Sequence, residues 1–181
     1  MSRDTKAQIL GAAAQVVLAH GVARLTLEAV ARAAGLSKGG LLYHYASKDA
    51  LLVAMVERLV EVTEQRIAAS READAPPGDW LRGYVRACSI EDLPDADPVG
   101  RLAVALLAAG ALDPALLEPL RACQAVWREQ LRRDGIDPAI AWIVRLAADG
   151  LWMNAVFGLP VLASDERRAV LERLVALTKA P

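Results

Sequence analysis

Between Thr26 and Tyr45 the sequence has room for two short helices and a turn, and for nothing larger. Thr26 stands as an N-cap before Leu27-Glu28-Ala29-Val30-Ala31-Arg32-Ala33-Ala34, and Glu28 falls in the first turn, where the helix dipole favours a negative charge. Gly35 ends that block, because glycine tolerates the left-handed dihedrals of a helix C-terminus. Ser37 caps a second block running to about Tyr45. Two helices this short bury little by themselves and need neighbours on both sides. A helix over about residues 3–20, closed by Gly21, can supply one side. A long helix capped by Ser47, with Leu51, Leu52, Met55, Val56, Leu59 and Val60 on one face, can supply the other. Val30, Ala31, Leu36 and Leu41 are expected to pack the pair onto the first helix.

The same punctuation runs through the rest of the chain. Asp97-Pro98, Asp113-Pro114 and Asp137-Pro138 each place a capping carboxylate before a proline, which is welcome at the first helical position because the amide hydrogen it lacks has no partner there. The spacing predicts helices at about 79–90, 98–111, 114–134, 138–157 and 165–178, with Pro119 bending its helix and Ala73-Asp74-Ala75-Pro76-Pro77-Gly78 forming a loop. Gly135 and Gly158-Leu159-Pro160 close two of them. Composition agrees: 36 Ala and 27 Leu among 181 residues favour helix, and 4% aromatics leave little to build sheets from. The expectation is an all-α fold of about nine helices, with a small head over residues 1–47 joined by its fourth helix to a larger helical part over 48–181.

Several function classes are weak here. The longest unbroken apolar run, Leu102 to Leu112, is far short of the ~20 residues that span a bilayer. The N-terminal segment reads as an amphipathic helix rather than a signal peptide, because Gln15 interrupts its apolar part. Cys88 and Cys123 are isolated, with no CxxC and no nearby His, which suits a reducing cytoplasm and small core residues and points to no metal and no cofactor. No GxSxG, Walker loop, HExxH or strand-led GxGxxG occurs, so the chain is not expected to be an enzyme. Charge is unevenly placed. Residues 1–48 carry six basic and two acidic groups, while 49–181 carry 15 basic and 20 acidic. A basic front on an acidic remainder suggests that only the front meets a polyanion.

The second short block opens on Ser37-Lys38-Gly39-Gly40, poor helix material, since glycine costs up to ~1 kcal/mol per position relative to alanine. Such a start makes sense where something must approach the backbone closely. A helix N-terminus with small residues, free amides and a lysine is a good seat for a phosphate or a base edge.

The run from Thr26 to Leu51, with Gly35-Leu36-Ser37-Lys38-Gly39-Gly40-Leu41-Leu42-Tyr43-His44-Tyr45 at its centre, resembles the DNA-binding segment of the tetracycline-repressor (TetR) family of bacterial regulators, over about residues 5–55. The resemblance implies a helix-turn-helix head. In it Thr26 contacts a backbone phosphate, Lys38, Gly39, Gly40 and Tyr43 form the recognition face beside the Ser37 cap, and Lys48 binds a phosphate. Gly40 stands where many members carry threonine. Tyr43 reads as a phosphate donor against the alternative of a packing aromatic, His44 as core-facing or phosphate-facing, and Tyr45 as core.

The resemblance further implies a sensor part in which a small molecule enters a cavity among the fifth to eighth helices and shifts the DNA-reading heads. Trp80, Tyr84, Leu106, Trp127, Trp142, Trp152, Met153 and Phe157 are its plausible lining, each with core packing as the alternative. Asp149, Asn154 and Arg145 are the polar groups nearby, so the expected effector is apolar or aromatic. The last two long helices are implied to pair with a second copy. Ile143, Leu146, Ala147, Gly150 and Leu151 form one stripe and Val170, Leu174 and Leu177 another, with an intramolecular core as the alternative. The expected partners are therefore an operator DNA duplex, a small molecule and a second copy of the chain, with no membrane. The expected function is a transcriptional regulator, a repressor released by its effector. The alternative is a helical small-molecule-binding or protein-interaction module whose helix-turn-helix no longer binds DNA, against which the basic front and the Lys38/Lys48 pair speak.

Overall fold

The computed structural model describes residues 2–71, 77–89, 98–159 and 161–179. These residues form nine α-helices: α1 Ser2–His20, α2 Leu27–Ala33, α3 Lys38–His44, α4 Lys48–Ala69, α5 Asp79–Cys88, α6 Pro98–Leu112, α7 Glu118–Arg133, α8 Pro138–Val156 and α9 Ser164–Leu177. Two short 3₁₀ turns, Val22–Arg24 and Pro114–Leu117, complete the order. Among the described residues there is no strand. The cap expected from Asp97, the loop over 73–76, the last residue of the 79–90 helix and Pro160 lie outside the described residues.

The chain packs as two compact units, one comprising residues 1–60 and 98–121, the other 61–97 and 122–181. In the first, α1 buries Ile9, Ala12, Ala13, Val16 and Val17, the i, i+3, i+4 stripe of an amphipathic helix, while His20 faces solvent. α1 packs on α2 and on α6. Val30, Ala31, Leu41, Leu51, Leu52, Met55 and Val56 close the same core, with Leu36 packed at its edge.

The end of α2 is a complete Schellman motif. Gly35 takes φ +66, its N–H donates to Arg32 O at 3.2 Å, and Leu36 N–H donates to Ala31 O at 2.9 Å. The Gln8 amide nitrogen donates to Ala34 O at 2.8 Å and ties α1 to this turn. Burying Leu41 completely contributes roughly 1.5–3 kcal/mol, which offsets the ~1 kcal/mol that each of Gly39 and Gly40 costs in α3.

The expected single helix over 114–134 is divided. Asp113 caps the 3₁₀ turn by accepting from Ala115 N at 3.1 Å, and α7 begins at Glu118. In one continuous helix the Pro119 ring would clash with the carbonyl four residues back; restarting at Glu118 puts Pro119 in a first turn, where a missing N–H goes unnoticed. A Cβ on Gly110 would lie 2.3 Å from Leu117, so this close pass requires glycine.

In the second unit α5 packs on α8 and α9, and α8 packs on α9. The α5 N-terminus has no local side-chain cap, because Gly78 occupies that position. Asp134 caps it from 54 residues away, its carboxylate accepting from Trp80 N and Leu81 N, each at 2.9 Å. Arg82, 1% exposed, donates from Nη1 to Pro77 O at 2.8 Å and Thr178 O at 3.3 Å, joining the start of α5 to the end of α9. Asp137 caps α8 by accepting from Ala139 N and Ile140 N, as its Asp-Pro signal foretells.

Candidate functional site

In the α2–turn–α3 segment each short helix begins at a side-chain cap. Thr26 Oγ1 accepts from Ala29 N at 3.1 Å and Ser37 Oγ accepts from Gly40 N at 3.0 Å. Both caps are exposed, so each hydroxyl retains its own O–H for a further acceptor. Leu41 and Tyr45 point inward and anchor α3. The opposite face presents Tyr43, 85% exposed, with His44 half-buried and edge-on to it at 5.2 Å between ring centroids and 85° between planes.

A Cβ on Gly39 would meet nothing within 4 Å. The protein's own packing therefore does not require glycine at that position, and the bare backbone is open to an outside partner. At Gly40 the nearest atom to an added Cβ is the capping Ser37 Oγ at 3.3 Å.

The two lysines are more engaged than the sequence suggests. Lys38 Nζ lies 2.5 Å from Glu28 Oε1, a pair with both side chains more than half exposed. Hydrogen bonding from Lys38 holds the Glu28 carboxyl below its ordinary range. In open solvent this pair is screened and weak, so a phosphate can compete for the ammonium. Lys48 Nζ donates to Val22 O at 3.0 Å, pinning the start of α4 to the turn after α1. An ammonium has three N–H donors, and this bond uses one.

A second constellation lies inside the 61–97 and 122–181 unit. Trp80 stacks on Tyr84 at 5.4 Å, and Trp127 meets Tyr84 edge-on at 5.6 Å and Trp80 at 6.4 Å. All three are buried. The Arg145 guanidinium lies 5.1 Å from the Tyr84 ring, 5.3 Å from Trp127 and 5.8 Å from Trp142. Arg145 is 3% exposed, donates from Nη2 to Gln124 Oε1, and lies 3.8 Å from Asp149. The Tyr84 hydroxyl donates to Asp149 Oδ1. A cavity of about 130 Å³ adjoins Trp80 and Trp127.

Burial raises the Asp149 carboxyl above its ordinary 3.8, outweighing Tyr84 and Arg145, which both lower it. The folded state therefore keeps this proton over a window above 3.8 in which the unfolded chain has lost it. The contribution to stability is full below about pH 4 and is lost as pH rises through the folded value. Asp149→Asn is expected to remove it, so that urea melts from pH 4 to 7 show stability falling less steeply with pH than in the wild type. Superimposable pH profiles would contradict the assignment. Burial likewise pushes the Cys88 and Cys123 thiols up to about 12, leaving both protonated and unreactive at neutral pH.

The expected effector lining thus divides. Tyr84, Trp127 and Trp142 come together around Arg145, and Trp80 packs on Tyr84 and Trp127. Leu106 does not: it belongs to the other core, with α1 and α4, because α6 packs there. Met153 and Phe157 are 48% and 55% exposed and so line no enclosed wall, while Trp152 is half-buried on α8. Asn154 spends its amide on Gly150 O, one turn back.

What α8 displays outward is a seam. Ile143, Leu146, Gly150, Met153 and Phe157 follow one another at spacings of 3, 4, 3 and 4, the heptad pattern of a helix that packs against another. Ile143 and Leu146 are 57% and 63% exposed, and a Cβ on Gly150 would meet nothing within 4 Å. By length and composition alone α8 is apolar enough to cross a membrane, with mean hydropathy 1.2 over 18 residues, of which 22% are buried. Ala147 and Leu151 are half-buried on its flank. On α9, Leu174 is buried within the protomer and so faces inward rather than toward a second copy, while Val170 and Leu177 are half-buried.

A capped two-helix motif with an exposed, glycine-opened second helix, carried by a chain with a larger helical unit, defines a helix-turn-helix DNA-binding regulator. Residues 9–55 match the model of bacterial regulatory proteins of the tetR family, and residues 78–179 match the tetracyclin repressor-like C-terminal domain. The chain belongs to the TetR family and is a ligand-responsive DNA-binding transcriptional regulator. The HTH-type transcriptional regulator LmrA of Bacillus subtilis (strain 168) is 28% identical over 138 residues, 73% of each chain. RutR of Escherichia coli (strain K12) is 33% identical over 115 residues, 64% of this chain and about half of RutR, 52%. The structure of the multidrug binding protein EbrR complexed with ethidium matches with a TM-score of 0.72 at 25% identity, covering 94% of this chain and 98% of that one.

Proposed function

We propose that the protein is a homodimeric cytoplasmic repressor whose α3 enters the major groove of a two-fold operator and which lets go when a small molecule occupies the Arg145 cluster. Residues 1–47 are the DNA-reading head and 48–181 the sensing and pairing part. The observation that carries this reading is the tip of α3, where Tyr43 stands out to solvent beside a glycine that internal packing leaves free. Thr26, Ser37, Lys38 and Lys48 donate to phosphates, Gly39 and Gly40 let the backbone approach, and Tyr43 with His44 reaches the phosphate or base edges. Phosphate contacts supply most of the affinity and make it salt-dependent.

The effector is planar and aromatic. The rings of Tyr84, Trp127 and Trp142 surround a guanidinium that a flat ligand replaces, and the 130 Å³ cavity beside Trp80 and Trp127 is by itself below the ~300–1,000 Å³ of small-molecule sites, so the ligand takes the space that Arg145 fills. EbrR, which matches this fold, is held with ethidium, itself planar and aromatic. The effector acts by binding one conformational state better than the other, since equal affinity for both shifts nothing.

Pairing runs through the α8 seam, from Ile143 at its start to Gly150 at its centre, with Ala147, Leu151, Val170 and Leu177 flanking it. The test is the double variant Ile143→Glu/Leu146→Glu, studied by sedimentation and by anisotropy on DNA from upstream of the protein's own gene. The wild type is expected to sediment as a dimer. The variant is expected to remain folded, sediment as a monomer and bind at least about 100-fold more weakly, because the second head loses its tether. A wild-type monomer, or a monomeric variant with full affinity, would overturn the reading.

A further inference from the structure

Between Thr26 and Tyr45 the sequence holds a single acidic residue, Glu28. It stands in the first turn of α2, two residues after the Thr26 cap, and its Oε1 lies 2.5 Å from Lys38 Nζ, at the start of α3. Both side chains are more than half exposed, on the same short segment as Tyr43. The helix dipole accounts for an acid in the first turn of α2. It does not account for the partner. Lys38 opens the helix that carries the exposed tip, and a cation there serves DNA best when its charge is whole. Opposite unit charges this close act on a phosphate as a dipole rather than as a cation. A duplex that takes Lys38 must draw it off Glu28 or accept a carboxylate beside its own phosphates, and either lowers affinity. Lys48 differs: its Nζ donates to the neutral Val22 carbonyl, a bond that cancels no charge.

We propose that Glu28 is a positioning residue that masks Lys38 and holds the DNA affinity of the head below what its lysines alone would give. The proposal rests on α3 as the DNA-reading helix. The test is a double-mutant cycle of Glu28→Gln, Lys38→Gln and the two together in the full chain. Each is read by anisotropy on DNA from upstream of its own gene and on unrelated DNA, at about 0.1 M salt, where the Debye length is about 10 Å. Glu28→Gln removes the charge, keeps the length of the side chain, and falls at an exposed position that the fold tolerates. It is expected to tighten binding to both duplexes by about 5-fold or more, since breaking an exposed pair costs a factor of up to about 5 at each head. In the Lys38→Gln background the same change is expected to gain about 3-fold less or smaller still, because no cation is left to unmask. Equal gains with and without Lys38 would show that the carboxylate only repels phosphate, and would overturn the proposal. Unchanged or weaker binding in Glu28→Gln overturns it too. Affinity indifferent to Lys38→Gln, with Glu28 present or replaced, overturns both the mask and α3 as the reading helix.

Discussion

Tyr43→Ala is expected to weaken operator binding by about 10²–10⁴-fold while leaving the thermal midpoint within a few degrees of the wild type. The phenol is 85% exposed, so the fold has little to lose, and exposed substitutions generally stay within about 0.5 kcal/mol. A hydrogen bond to a charged phosphate contributes about 1.5–3 kcal/mol. Two heads bind per operator, giving about 3–6 kcal/mol, and each 1.4 kcal/mol is a factor of ten. Tyr43→Phe keeps the ring against His44 and removes only the hydroxyl, so it separates hydrogen bonding from ring contact. Anisotropy titration of the upstream DNA reads both. Full affinity in Tyr43→Ala would detach α3 from DNA recognition.

Arg145→Ala is expected to cost about 3 kcal/mol of folding stability, the low end of the 3–5 kcal/mol seen when one partner of a buried charge network is removed. The side chain fills the space between Tyr84, Trp127 and Trp142, and stacking of a desolvated guanidinium on such rings contributes about 2 kcal/mol. Gln124 loses its donor as well. Asp149 moderates the loss: its side chain is 38% exposed and can take up water when its cation is gone. Urea unfolding with an unchanged slope would give the value directly. The same variant opens the space that a flat ligand needs, so it is expected to bind ethidium more tightly than the wild type. Unchanged stability together with unchanged ethidium binding would remove Arg145 from the centre of the sensor.

Local signals were easy to read in this sequence, and distant ones were not. Thr26, Ser37, Asp113 and Asp137 cap where their identity says they should, because a cap is settled within three residues. Gly35 closes α2 for the same local reason. Asp134 was invisible as a cap because its partners, Trp80 and Leu81, are more than fifty residues away. Arg82 was unreadable as a structural residue, since its acceptors at Pro77 and Thr178 converge only in the fold.

In the second unit, aromatic identity singles out Trp80, Tyr84 and Trp127, which the fold buries together, but helical spacing alone does not separate an inward face from an outward one. Met153 and Phe157 therefore read as lining although they stand on the α8 seam. Leu106 reads as lining because α6 is one of the fifth to eighth helices, whereas its core is the one built by α1 and α4. Arg145 is legible in the sequence only as a nearby polar group, since no pattern in the chain shows three rings closing around one cation.

The claim on which the rest depends is that the tip of α3 seats against a specific duplex. The most direct measurement is fluorescence anisotropy of the full chain on DNA from upstream of its own gene and on unrelated DNA of equal length, across about 50–200 mM salt, the range over which several phosphate contacts change affinity by orders of magnitude. The expected result is a steep linear fall of log affinity with log salt, with the upstream DNA bound about 10³-fold or more tightly than the unrelated duplex at physiological salt. Equal affinity for the two duplexes, or a binding constant indifferent to salt, would contradict it.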